Sequence, residues 1–273
     1  MRIGIFFSGN FIKNYEVKEL QNLLKTRNKF IFFIGKEEYK SSKKTFISII
    51  KNLLFKHRFF SLILIEEKIS AFFNHKNSFS KKLKLLNKKI ALKKVIKNFF
   101  NFRRYYFHSS SKIFTQDANL KKIIKKNCDM LIFLGFNKIV NKQTLSLPKK
   151  GILSFHTADI NYYRGRPSGF YEFLNNEKYG GVTVQIIGQK IDSGKILLIK
   201  KTYISKCKSY QETLYRMMSL KENMLVNAIQ KIKKRKKFHT TKNKVPLSLE
   251  KNSKKFSVVL KCLIKTILLK YFD

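Results

Sequence analysis

The chain has 273 residues, 44% of them hydrophobic and 14% aromatic, which is enough to bury a core and excludes a chain that stays disordered. Its formal net charge is +43, from 59 Lys and Arg against 16 Asp and Glu. Three widely spaced cysteines form neither a disulfide framework nor a C-x-x-C pair, and no stretch approaches the ~20 apolar residues of a membrane-spanning helix, so a cytoplasmic protein is expected.

In chain order, "RIGIFF" is a short apolar run ended by "SGN", a strand-to-turn signal. The apolar run is too short for a signal peptide. Residues 15–26 have helical spacing, and "FIFFIG" at 30–35 is a second continuous apolar run. Residues 40–110 carry helical runs such as "FISIIKNLLF" and "KKIALKKVIKNFFNF", and predict a helical insertion without a clear strand. "DANLKKIIKKN" predicts a helix leading into a third apolar run, "DMLIFLG" at 129–135. "GILSFH" at 151–156 is a fourth. "GVTVQIIG" alternates, with Val182, Val184 and Ile186 on one face, and predicts a half-buried strand paired as a hairpin with "KILLIKKTYI". Ser209 and Glu212 form a capping box that opens a helix to about Lys234. The expected organisation is one α/β domain over 1–237, then a linker and a C-terminal helix over 238–273. That last helix reads either as an interfacial membrane contact or as a helix docked on the domain.

Continuous apolar strands alternating with helices predict a doubly wound, mostly parallel sheet of the Rossmann-like type. Ligands of such sheets sit beyond the carboxyl ends of the strands. His156 ends the fourth run, and Asp192 lies in the "QKIDSG" turn, so both stand where sites are built. The spacing of His156, Asp159 and Asp192 matches no standard ligand motif, and no metal is expected.

The charge admits two readings. Lys, Asn, Ile, Phe and Tyr have A- and T-rich codons, whereas Trp is absent, Pro numbers 3 and Gly 11. Genome composition can therefore inflate lysine, and the lysines are spread along the chain rather than gathered in one stripe. Nucleic acid stays open as a partner, without an expectation of specific binding.

The stretch "GILSFHTADINYYRGRPSGF…GGVTVQIIGQKIDSGKIL" resembles the catalytic half of the 10-formyltetrahydrofolate-dependent formyltransferases, which include methionyl-tRNA formyltransferase, glycinamide ribonucleotide transformylase and the sugar N-formyltransferases. The resemblance rests on Gly151, Ile152, His156, Arg164, Gly165, Gly181, Val182, Thr183, Asp192 and Gly194, and covers roughly 125–235. It implies formyl transfer from 10-formyltetrahydrofolate to a primary amine. In that reaction negative charge grows on the formyl oxygen and donors placed there stabilise it. The resemblance implies His156 as one donor and Asp192 as the carboxylate that orients it. It places the folate against Leu134, Gly135, Phe136, Lys138 and Ile139, and a substrate loop at Asp159, Arg164 and Gly165. The family's Asn two residues before the His is Ser154 here, a shorter donor on the same strand face as His156.

Among acceptors, an amino-sugar nucleotide is the leading expectation. The residues after 237 are too few for an added barrel domain, and "SGNFIKN" lacks the second Gly of a tight phosphate cradle. A methionyl-tRNA enzyme, or a folate- or RNA-binding protein without turnover, is the alternative.

Overall fold

The structure is a computed structural model, which describes residues 1–36, 61–63, 65–66, 79–108, 113–114, 118–136, 139–165, 167–234, 239–240 and 255–271. Twelve strands occur among these residues: β1 (Arg2–Phe7), β2 (Phe11–Lys13), β3 (Lys29–Lys36), β4 (Lys89–Ala91), β5 (Arg103–His108), β6 (Ile113–Phe114), β7 (Met130–Phe133), β8 (Ile139–Val140), β9 (Ile152–His156), β10 (Tyr179–Ile186), β11 (Lys195–Tyr203) and β12 (His239–Thr240). Eight of them form one sheet in the order β12-β11-β10-β9-β7-β1-β3-β5. From β5 to β9 the pairings are parallel; β10, β11 and β12 continue it antiparallel. The direction of strand addition reverses at β1, between β3 and β7, the position at which such sheets open a crevice.

The apolar runs are continuous because helices cover both faces. On one face Ile3, Ile5, Phe7, Phe32 and Ile132 pack with Leu20 and Leu23 of α1 (Asn14–Leu24). On the other, Phe6, Phe33, Leu131 and Phe133 pack with Leu120 and Ile124, which lie in the helix Ala118–Asn127. The Phe6 and Phe33 rings stack at 4.5 Å.

Four local expectations change. In the predicted insertion, Phe79–Leu86 is helical, but Arg103–His108 joins the main sheet as its edge strand β5. An edge strand carries polar side chains because only its inner side is paired. Residues 40–60, 64, 67–78 and 109–110 of that range lie outside the described residues. The expected helix 209–234 is two helices, Tyr210–Met218 and Met224–Lys233, broken at Asn223, whose φ is 63°. Strand β10 is buried on both faces, not one: Thr183 and Gln185 are as enclosed as Val182 and Val184. In the expected linker, His239–Thr240 pairs with β11; 241–254 lies outside the described residues. The C-terminal helix Phe256–Tyr271 docks by Val259 and Cys262 onto Phe170 and Phe173. Its outer side exposes Phe256, Leu260, Ile264, Ile267 and Leu268.

Candidate active site

The site forms where β9, β10 and two loops meet. Strand β9 ends at His156, a buried residue opposite Thr183 of β10. The chain then turns sharply. Thr183, fully buried, donates its hydroxyl to the Ala158 carbonyl at 2.8 Å and accepts the Ile160 N–H at 3.2 Å. A Cβ on Gly181 would stand 3.1 Å from the Asp159 nitrogen, so the "GVT" triplet lets β10 approach this loop and then ties it down.

The His156 ring is held at both nitrogens. Nδ1 lies 3.3 Å from Asp192 Oδ1, and Nε2 lies 3.1 Å from the carbonyl oxygen of Tyr163. Both partners are acceptors, so each contact is a hydrogen bond where the facing nitrogen carries a proton. Asp192 sits at φ 50° and its second oxygen accepts the Gly165 N–H at 3.1 Å. Burial pushes the Asp192 carboxyl up, but the hydrogen bond and charge of His156, the Gly165 N–H and Arg164 together hold it below the ordinary aspartate value. Arg164 adds a second clasp, donating from Nη2 to the Ile191 carbonyl. Gly165, at φ 85°, is the glycine that lets this loop turn toward Asp192.

Ser154 shares the strand face of His156, and its half-buried hydroxyl makes a long hydrogen bond, 3.4 Å, to the Phe155 carbonyl. A contact that long is weak. Asp159 turns the loop instead of facing His156. Its Oδ1 accepts the Asn161 N–H, its carbonyl accepts the N–H groups of Tyr162 and Tyr163, and its Oδ2 pairs with Lys201 at 2.8 Å.

On the other side of β9, the chain leaves β7 through Leu134, Gly135 and Phe136. Leu134 and Phe136 are buried, and Gly135 has φ 65°. The Gly135 carbonyl accepts from Ser8 Oγ at 2.7 Å and its N–H donates to Glu16 at 3.0 Å. These bonds tie the end of β7 to the turn after β1 and to α1. Ile139 pairs with Ile113 in the short β6–β8 ribbon, and Lys138 lies outside the described residues.

Sequence reasoning passed over Tyr163, Glu172, Glu16 and Lys221. Burial pushes the carboxyl of Glu16 up, although Lys221 opposes it, and burial lowers Lys221 to about 8. Lys221 also lies over the rings of Tyr15 and Phe155. No local motif announces these residues; Glu16, Glu172 and Lys221 are buried and Tyr163 is half-buried, through packing that the sequence does not display. Among the described residues no group of three His, Cys, Asp or Glu is clustered as metal ligands are.

His156, Asp192 and the segments around them fall within residues 66–229, which match the family model described as formyl transferase, more than half of the chain. The chain belongs to the formyl transferase family. A methionyl-tRNA formyltransferase of Thermodesulfovibrio yellowstonii is 32% identical over 119 residues, 43% of this chain and 38% of that protein. The match thus spans about two fifths of that relative's length. In three dimensions the formyl transferase chain is similar to an N-formyltransferase from Helicobacter canadensis solved with folinic acid and dTDP-3-aminofucose, at TM-score 0.55 and 16% identity, covering 100% of this chain and 82% of that one. A phosphoribosylglycinamide formyltransferase from Anaplasma phagocytophilum superposes at TM-score 0.56 and 10% identity, covering 90% and 97%. At these identities the likeness establishes the fold.

Proposed function

We propose that the protein transfers a formyl group from 10-formyltetrahydrofolate to a primary amine, with an amino-sugar nucleotide as acceptor. The observation that carries this reading is the His156–Asp192 contact at the end of β9, set inside the family's matched region and clasped by Gly165. The folate would supply the formyl group on its N10 and lie against Leu134, Gly135 and Phe136. The glycine at φ 65° leaves a side-chain-free backbone there, which suits a flat heterocycle held by main-chain groups.

His156 then acts at the formyl oxygen. Its Nε2 already faces a carbonyl oxygen, that of Tyr163, so the ring is aimed at an acceptor of the chemical kind it would stabilise. The formyl oxygen would take that carbonyl's place. Asp192 holds the other nitrogen and fixes the ring's orientation. Ser154 is a supplementary donor on the same face. Arg164 and Asp159 shape the acceptor loop. We place the reaction in the cytoplasm; all three cysteines are buried free thiols, and among the described residues no helix is long and apolar enough to cross a membrane.

The sugar reading draws on the likeness in fold to the Helicobacter canadensis enzyme, which was solved with dTDP-3-aminofucose and covers 100% of this chain and 82% of that one. A second reading, formylation of methionyl-tRNA, is favoured by the sequence relatives. Mass spectrometry of formyl transfer from 10-formyltetrahydrofolate to amino-sugar nucleotides, glycinamide ribonucleotide and methionyl-tRNA decides between them. Formylation of an amino sugar is the expected result. No transfer to any of the amines would overturn the proposal.

A further inference from the structure

A cavity of about 270 Å³ lies at the ends of β9, β10 and β11, on the side of β9 away from Leu134–Phe136. Its walls include three tyrosines, Tyr162, Tyr163 and Tyr179, and three carboxylates, Asp159, Glu172 and Glu177. Lys178 and Lys201 also line it. Two of the carboxylates have partners inside the protein: Asp159 pairs with Lys201 at 2.8 Å, and Glu177 accepts the Tyr163 hydroxyl at 2.6 Å. Glu172 differs. It is 2% exposed, and its Oε1 has no hydrogen-bond partner among the described residues.

A buried carboxylate oxygen left without a donor is costly, and one lining a cavity is satisfied by a ligand that brings a donor. Tyr163 joins this cavity to the site, since its carbonyl meets His156 and its phenol meets Glu177. The proposed folate segment and the cavity therefore flank His156 on opposite sides, as a formyl donor and its acceptor must.

We propose that this cavity is the acceptor subsite and that Glu172 receives the acceptor's primary amine. The inference rests on the formyl-transfer reading. An alkylammonium hydrogen-bonds to Glu172 Oε1 and passes one proton to it. The N–H bond breaks, an O–H bond forms, and the electron pair stays on nitrogen as the lone pair that attacks the formyl carbon; the new C–N bond replaces the bond from the formyl carbon to folate N10, and N10 leaves with the proton that the attacking nitrogen sheds on becoming an amide. The carboxylic acid then loses its proton to solvent. Burial pushes the Glu172 carboxyl up to about 7, against the opposing backbone N–H groups of Glu172 and Gly169 and the charge of His156, which suits exchange with an amine at neutral pH. The tyrosine rings supply flat faces for a sugar ring.

Glucosamine and glucose, which differ by the amine, are the probes, titrated by saturation-transfer NMR against the full chain. The expected result is that glucosamine binds at least tenfold more tightly and that Glu172→Gln abolishes the preference. Equal binding, no binding, or a preference that survives the substitution overturns the assignment. Should Glu172→Gln fail to fold, wild-type crystals soaked with glucosamine serve instead: the amine nitrogen within hydrogen-bond distance of Glu172 Oε1 supports the subsite, and its absence from the cavity overturns it. Formyl transfer measured on the same protein separates the two claims. Transfer without amine recognition at Glu172 removes the subsite and keeps the reaction; recognition without transfer to any amine does the reverse.

Discussion

Thr183 shows how one hydroxyl positions a site. It is fully buried and makes two hydrogen bonds to the loop that follows His156. Thr183→Val keeps the volume and strands the Ile160 N–H and Ala158 carbonyl. We expect a loss of about 1–3 kcal/mol in chemical denaturation, with a fall in formyl transfer because the loop loosens. Ser154 is tested by Ser154→Ala. Its only shown bond is the long one to Phe155, so a role at the formyl oxygen predicts a roughly 10- to 1000-fold lower kcat with folate affinity unchanged. A wild-type rate would remove it from the machinery. Asp192 and Glu172 have opposite pH signatures. The depressed carboxyl of Asp192 contributes stability above the ordinary aspartate value, lost as pH falls through its lower folded value. The raised carboxyl of Glu172 contributes stability fully present below 4.5 and lost as pH rises through about 7. The difference in Tm between wild type and Glu172→Gln should therefore change across pH 4.5 to about 7 and be flat on either side; a constant difference would contradict the burial of an ionisable group there.

At the scale of elements, the apolar strands and the capping box were legible because their signals are local. Ser209 Oγ accepts the Glu212 N–H at 3.2 Å, and Glu212 accepts the Lys208 N–H at 3.0 Å. The break after that helix was not legible. Its second half begins at Met224 because Glu19, fully buried in α1 and distant in sequence, accepts the N–H groups of Met224 and Leu225 at 3.1 and 2.6 Å. A carboxylate at a helix N-terminus satisfies donors that the helix leaves open. Glu19→Ala removes both acceptors, and equilibrium denaturation should show a loss of about 1–3 kcal/mol. Strand β5 was read as helix for a related reason. "RRYYFH" has no apolar run, since as an edge strand it leaves most of its side chains half-buried or exposed. For the candidate site, His156 and Asp192 were legible from motif and placement, whereas Glu172 was not: a glutamate in "FYEFL" has the spacing of any short helix, and only packing shows its oxygen without a donor.

For the whole molecule, a formal charge of +43 suggests a nucleic-acid partner, but the lysines are spread along the chain rather than gathered in one stripe. We expect binding to tRNA to be weak and to fall steeply as salt rises from low to physiological, measured by filter binding. Tight, specific binding at physiological salt would turn the acceptor reading toward methionyl-tRNA. By itself the sequence determined the class of fold and the main apolar strands along the chain, and pointed to His156 and Asp192, because apolar periodicity and a spaced motif are properties of the chain read in one dimension. Tertiary structure alone decided that His156 Nε2 faces the Tyr163 carbonyl, that Glu19 starts a helix far along the chain, and that Glu172 lines a cavity with its Oε1 unpartnered among the described residues. Those facts depend on which side chains desolvation forces together. That is settled by the packing of layers, where residues far apart in sequence must satisfy one another's hydrogen bonds or leave them open to a ligand.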